Sequence, residues 1–469
     1  MSSQSLSASE SPLSWEQAPV RALLALTAPI TLSLLSFACM GLVDTFLVGR
    51  LGAAQLAGVG LGIVITNCLM GFGFGLLRGV KVLLAQARGA ARHGRARDGQ
   101  TRADLTLYAG AGLLVALELG LGMLLLGELA AYFAPRFSAS AEAGAAAQHY
   151  IAVRSLGMPV ILAYVALREA RYGFGETRSP LVSALVGNIV HALLDCLALY
   201  VLNLGATGAA LANVLAFATQ VALLSLAQSE RGFGLAGALG KRVRAAQWEV
   251  VRAGAFTGMQ FVLEIASLTA LSLLLAGVSD QQMAAHQIAV QLSAFCFLPA
   301  LAIAESATVL AAEAVGSGRL AAVYGVARAA RWVALAYAGF CASVLTLGGG
   351  TIAQLFTNDL TVRTILRGVL IAVSAHQVFE SLAVSGHGLL RGVGATRLSA
   401  LCALGCAWLC TPWLGYLLVR HYELGAVGAW LARSVELSCA SLIGWRYIER
   451  GSWVPGCSTR GLRLRVTAA

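Results

Sequence analysis

The sequence predicts an all-α polytopic membrane protein, twelve transmembrane helices in two six-helix lobes related by a pseudo-two-fold axis. Three observations carry that reading. Of the 469 residues, 58% are hydrophobic and only 12% charged, more apolar surface than a water-soluble core of this size needs. A spanning helix takes roughly 20 apolar residues, and polar breaks divide the chain into twelve such runs. Four stretches of the first half reappear, in order, in the second.

The elements follow from those breaks. The opening stretch to Ala18 is Ser-rich, with Glu10 and Glu16 but no basic residue before Arg21. It is neither a signal peptide nor a transit peptide, so residues 1–18 are expected to be a flexible tail. Spans are expected near 20–48, 56–80, 105–127, 148–171, 181–202, 206–227, 250–276, 283–314, 331–353, 365–390, 398–419 and 425–447. Residues 19–227 then form an N-lobe of helices 1–6, and 228–247, rich in Gly and basic residues, a cytoplasmic linker. Residues 248–447 form a C-lobe of helices 7–12, and 448–469 a basic tail. The run Gly71-Phe72-Gly73-Phe74-Gly75 permits close helix contact. Pro29, Pro159, Pro299 and Pro412 fall inside spans, where each can kink a helix.

The repeat has a measurable register. Leu51 through Ala57 aligns with Val278 through Ala284 at an offset of 227, and Leu83 through Gly89 aligns with Leu310 through Gly316 at the same offset. Gly173 through Arg178 meets Gly392 through Arg397 at 219, and Leu204 through Ala212 meets Leu424 through Ala432 at 220. An even number of helices per copy gives both copies one orientation and places their axis along the membrane normal, around a central cavity suited to alternating access.

The net charge of +11 could suggest nucleic acid, but the basic residues cluster in alternate gaps. These are Lys81 through Arg102; Arg168, Arg171 and Arg178; Lys241, Arg242 and Arg244; Arg319, Arg328 and Arg331; Arg391 and Arg397; and Arg446 through Arg465. The positive-inside rule then makes both termini cytoplasmic, and the charge serves orientation and lipid headgroups. The ten cysteines lie mostly in apolar runs, where a thiol behaves as a small hydrophobe. Cys402, Cys406 and Cys410 share one helix face, but no His or acid stands at ligand spacing, so they read as packing, and neither a resident metal nor a cofactor is expected. No HExxH, GxSxG or Walker-type motif occurs, so the chain reads as no enzyme. Without a nucleotide site an ion gradient is the intrinsic drive, worth about 2.3 kcal/mol per charge per 100 mV.

An ionised side chain at mid-bilayer costs roughly 3 kcal/mol on insertion scales, so acids inside spans are functional candidates. They are Asp44, Glu118, Asp195, Glu264, Glu305, Glu380 and Glu436. Three have a polar partner four residues before them on the same helix face: His191 with Asp195, Gln260 with Glu264, and His376 with Glu380. Burial favours the neutral acid, which suits proton uptake and release; deprotonated carboxylates and carbonyls could instead ligate Na⁺. Glu118 has no partner at helical spacing and reads as an interhelical contact. Glu436 pairs with Arg433 near the cytoplasmic half. Glu305 falls opposite Arg78 in the repeat, which suggests charges facing each other across the halves.

Pro29 followed by Gly41-Leu42-Val43-Asp44-Thr45-Phe46-Leu47-Val48-Gly49-Arg50-Leu51-Gly52 resembles the first-helix pattern of the multidrug and toxic compound extrusion (MATE) family. Ala284-Ala285-His286-Gln287 and Leu389 through Gly394 look like its second-half counterparts. The resemblance spans residues 20 to 447 and implies a V-shaped, twelve-helix exporter that exchanges H⁺ or Na⁺ for amphipathic, often cationic compounds. Asp44 is similar to the family's first-helix coupling carboxylate. The stretch Gly187-Asn188-Ile189-Val190-His191-Ala192-Leu193-Leu194-Asp195 resembles the fifth-helix pattern of the DinF-like branch, in which the last Asp joins the first-helix Asp in an N-lobe cation site. His191 stands where that pattern usually has a second Asn, and Asn213 where a Thr is expected. Glu264, 22 residues before His286, and Glu380, 11 before Arg391, resemble the acids of the NorM-like branch.

The resulting expectation is a monomeric secondary antiporter of a bacterial inner membrane, moving a small-molecule substrate against H⁺ or Na⁺ among membrane lipids. Asp44, Asp195, His191, Asn188 and Asn213 form one coupling set and Glu264 with Glu380 a second. Phe37, Met40, Met259, Gln260, Phe261 and His376 are expected to line the substrate cavity. The rivals are a lipid-linked oligosaccharide flippase, which would turn Arg78 or Lys81 into the cavity, and a passive channel or membrane-embedded enzyme.

Overall fold

The computed structural model describes residues 13–92, 98–138, 140–229, 241–451 and 453. The first half comprises α1 (Pro19–Gly49), α2 (Ala53–Arg92), α3 (Asp98–Phe133), α4 (Ala141–Leu156), α5 (Met158–Gly173), α6 (Arg178–Cys196) and α7 (Gly205–Ser229). The second comprises α8 (Lys241–Ala276), α9 (Asp280–Ser317), α10 (Leu320–Leu347), α11 (Gly349–Phe356), α12 (Leu360–Gly392), α13 (Thr396–Tyr416) and α14 (Gly425–Glu449). Eleven of the described helices are long and apolar enough to cross a membrane, and a twelfth span is the pair α4 and α5, bent by 50°. The twelve expected spans are therefore present. Pro159 begins the second arm of that pair, where its missing N–H breaks no hydrogen bond.

Local signals set the helix ends. Ser140 and Ser279 accept from the amides of Ala143 and Gln282, Asp359 accepts from Thr361 and Val362, and Gly318 closes α9 in the left-handed region at φ 76°. Such caps satisfy amides and carbonyls that a helix leaves orphaned at its ends.

The repeat extends to individual contacts. Gln55 accepts from the Ala206 amide at 3.3 Å, and its counterpart Gln282 accepts from Ala426 at 2.7 Å. One π-helical turn follows α6 at Leu197–Val201 and another follows α13 at Leu417–His421, 220 residues on. Where α2 crosses α9, a methyl on Gly89 would collide with the Glu313 carbonyl, and one on Gly316 with the Gln86 carbonyl. Those four positions form two pairs related by the offset of 227, each touching the other's partner, so the pseudo-two-fold axis passes between α2 and α9. Gly75 packs the same way on α8, where a methyl would lie 2.5 Å from Gly258 Cα. The Gly-rich run thus serves close helix contact.

Several expectations change. Residues 13–18 are docked and not a flexible tail: Leu13 is buried, Trp15 Nε1 donates to Glu313 at 3.2 Å, and Arg319 donates to Glu16 at 2.9 Å. Residues 1–12 lie outside the described residues, as do 230–240 of the expected linker. Residues 241–247 of that linker already belong to α8. Trp453, assigned to the tail, is buried against Tyr324, with ring centroids 6.1 Å apart. The run expected at 331–353 begins earlier, at Leu320, and breaks at Gly348 into α10 and α11.

The largest correction concerns charge. Lys81, Arg168, Arg171 and Arg391, read as loop residues, lie within helices; Lys81, Arg171 and Arg391 are buried and Arg168 is half-buried. The helices run past the apolar segments, α2 for 40 residues in all, so cations at the edge of an apolar run are carried into the interior and need acids there.

Candidate functional site

Polar groups gather in three places. In the first half, α1 packs beside α6 and brings Asp44 to His191 and Asp195. His191 Nε2 lies 3.0 Å from Asp44 Oδ1 and 3.4 Å from Asp195 Oδ2. Exposures are 3% for Asp44, 1% for His191 and 0% for Asp195. Asp44 is five residues from the end of α1, and Asp195 stands at the end of α6 before the π turn. Two acids share one imidazole, so with both ionised even a protonated ring leaves a net negative charge.

The remaining residues of that set are placed differently. Asn188, on the same face of α6, turns to α1 and donates to the Ser36 carbonyl at 2.5 Å and to the Ser36 hydroxyl. Asn213 on α7 is buried, with no hydrogen-bond partner for its Oδ1.

In the second half, a cavity of about 260 Å³ is lined by α8, α9, α12, α13 and α14, with Arg78 from α2. Gln260, Phe261, Glu264, His376 and Glu380 all line it. Gln260 donates to Glu264 at 2.9 Å, and His376 Nε2 is 3.6 Å from Glu380 Oε1, its ring edge-on to Trp430 at 5.0 Å. His387, Arg391, Arg433 and Glu436 also line this space. Arg433 pairs with Glu436 at 3.2 Å, and Thr411 donates to the same carboxylate. This pair sits midway along α14 on the cavity wall. Phe37 and Met40 do not line the cavity: Phe37 stands 6.1 Å from the Phe217 ring, and Met40 packs in the apolar core of the first half. Met259 does not line it either and is 49% exposed.

The third group joins the halves. Glu305 of α9 faces its repeat counterpart Arg78 at 3.4 Å and Arg391 at 3.8 Å, and also contacts Lys81. Lys81 donates to Glu169 at 2.9 Å, and Glu169 is 3.0 Å from Arg168. Six charged side chains from four helices thus meet across the pseudo-two-fold axis. Glu169 is the participant that sequence reasoning missed; its position between Arg168 and Arg171 in an apolar span was the available signal. Glu118 meets Gln247 of α8 at 3.0 Å, an interhelical contact as expected.

Two pseudo-symmetric six-span halves, each with buried acids and one with a polar cavity, define a two-lobed polytopic transporter. Solved structures share that fold: a multidrug resistance MATE family transporter of the MOP superfamily in its outward-facing conformation matches at TM-score 0.84 with 19% identity, over 96% of this chain and 100% of that one. The Vibrio cholerae MATE transporter VcmN in the bent form matches at 0.83 with 18% identity, over 93% and 98%. The sequence profile of the MatE family matches residues 29–197 and 257–417, and the chain belongs to the MATE family. Among its relatives are proteins named "Probable multidrug resistance protein NorM". That of Deinococcus radiodurans is 31% identical over 92% of this chain and 96% of its own length. That of Bradyrhizobium diazoefficiens is 30% identical over 88% and 89%.

Proposed function

We propose that the protein is a secondary antiporter of a bacterial inner membrane, both termini cytoplasmic, which exports small organic, often cationic or amphipathic, compounds in exchange for H⁺ or Na⁺. The relatives named as multidrug resistance proteins support the export of such compounds. The observation that carries the coupling is the Asp44–His191–Asp195 cluster: two buried carboxylates near one imidazole take up a cation to approach neutrality, and release it when the site is hydrated. Glu264 and Glu380 form the second candidate pair, on the wall of the cavity that would hold the substrate.

The flippase reading has Arg78 on the cavity wall in its favour, as that reading requires. The same wall, however, sets Glu264, Glu380 and Glu436 beside Arg78, Arg391 and Arg433, so acids match cations there in number, which argues against a site built for a pyrophosphate.

Uptake of a fluorescent organic cation into proteoliposomes under an imposed pH or Na⁺ gradient tests the proposal. Gradient-driven uptake that collapses in Asp44→Asn and persists in Glu264→Gln supports coupling in the first half; the reverse moves it to the second. Absence of gradient-driven flux in the wild type overturns the antiporter reading and favours the flippase.

A further inference from the structure

The coupling reading leaves open why an imidazole stands between the two aspartates. Na⁺, like Mg²⁺ and Ca²⁺, is a hard cation that takes oxygen ligands, whereas imidazole nitrogen with carboxylate oxygen is a donor set of Zn²⁺ and related ions. We propose that Asp44, His191 and Asp195 form a binding site for one divalent transition-metal ion of the Zn²⁺ class. The proposal goes beyond the antiport reading and does not need transport to occur.

Charge is the first support. With both carboxylates ionised, as metal ligation requires, and the imidazole neutral, the cluster carries −2, which a divalent ion cancels and a monovalent ion does not. In a site 0–3% exposed, an uncompensated charge is strongly disfavoured. Neither lysine nor arginine is ion-paired with Asp44 or Asp195 among the described residues, so no protein cation already fills the place.

Geometry is the second. Zinc bonds of about 2.0–2.2 Å in a tetrahedron set neighbouring donors roughly 3.3 Å apart. His191 Nε2 is 3.0 and 3.4 Å from one oxygen of each aspartate, and one donor atom from each of the three residues falls within 4.8 Å of the others. At 3.0 Å Asp44 Oδ1 still makes no hydrogen bond with Nε2. It therefore lies off the axis of the ring nitrogen, which leaves that axis free for an ion bonded to both. Both Asp195 oxygens are likewise buried without a hydrogen-bond donor. Three protein ligands leave a fourth position for water, an open coordination sphere.

Among the described residues this is the one such group of three. The thiols of α13 do not compete as a cluster: Cys402, Cys406 and Cys410 form no such group among the described residues.

The test uses the full chain, purified in detergent and stripped with a chelator, then titrated with Zn²⁺ against a chromophoric chelator and with Co²⁺ by visible absorption. We expect one equivalent per chain, a tetrahedral Co²⁺ spectrum without a thiolate charge-transfer band, and no competition from millimolar Na⁺ or Mg²⁺. Changes outside the ligand set of a metal site typically cost 10–100-fold in affinity, so removing the ligand in His191→Asn should cost about a hundredfold or more, with the melting temperature of the metal-free protein little changed. If His191→Asn does not fold, His191→Gln serves the same purpose. A wild type that binds less than one equivalent, a thiolate band, or undiminished affinity in a folded His191 variant overturns the proposal. Gradient-driven flux in metal-free vesicles reports on antiport alone, so the two readings fail separately.

Discussion

The two halves share a frame but not a chemistry. The repeat carries Asp44 onto Leu271, His191 onto Thr411 and Asp195 onto Gly415. A methyl on Gly415 would lie 3.0 Å from Leu271 Cδ1, so the juxtaposition that makes a triad in one half is plain packing in the other. In the opposite direction, Glu264 falls on Phe37 and Gln260 on Ser33. The sites also differ in depth: Asp44 is five residues from the end of its helix and Glu264 twelve from the end of its own, roughly 7 Å and 18 Å at 1.5 Å per residue. One site is closed and acidic; the other is an open cavity where Glu264, Glu380 and Glu436 alternate with Arg78, Arg391 and Arg433. Duplication preserved caps and crossings, where substitution breaks the frame, and left the polar positions free to diverge.

Substitutions should therefore separate site from frame. The largest effect is expected on flux: Asp44→Asn should abolish gradient-driven uptake, whereas Glu264→Gln should retain it with weakened substrate affinity. Equal loss in both would erase the distinction between the halves. On stability, Glu305→Ala strips the shared acid from Arg78, Lys81 and Arg391. A buried pair that loses one member costs about 3–5 kcal/mol, readable as a lower melting temperature in detergent. Frame substitutions should treat the halves alike. Gly89→Val and Gly316→Val press on each other's symmetry-related carbonyls and should each cost about 1–3 kcal/mol, the range for overpacking; a severalfold inequality would show that the crossing is not symmetric in energy. Smallest, Gln55→Ala and Gln282→Ala each remove one hydrogen bond to a helix N-terminus, worth about 1 kcal/mol apiece.

Most of the frame is legible in the chain. Apolar runs, Gly spacing and the repeat offsets of 227, 219 and 220 locate the spans and the axis, and the offset of 227 alone sets Glu305 opposite Arg78. Four-residue spacing exposes His191 with Asp195 and His376 with Glu380, because helical neighbours are fixed by the backbone. What spacing cannot carry is the third dimension. Asp44 reaches His191 only because α1 lies on α6. Lys81 and Arg391 look like loop charges until the helices extend past their apolar segments, and Phe37 and Met40 look like cavity wall because an apolar stripe has the same pattern whichever neighbour it meets.

The docked opening segment bears on when the protein becomes complete. Trp15 and Glu16 are held by Glu313 and Arg319, about 300 residues later in the chain. At a synthesis rate of about 5–20 residues per second, Trp15 and Glu16 wait roughly 15–60 s for the partners that hold them. This segment is thus fastened only after α9 has been made, and a ribosome that stalls within the first half leaves Leu13, Trp15 and Glu16 without the partners that cover them.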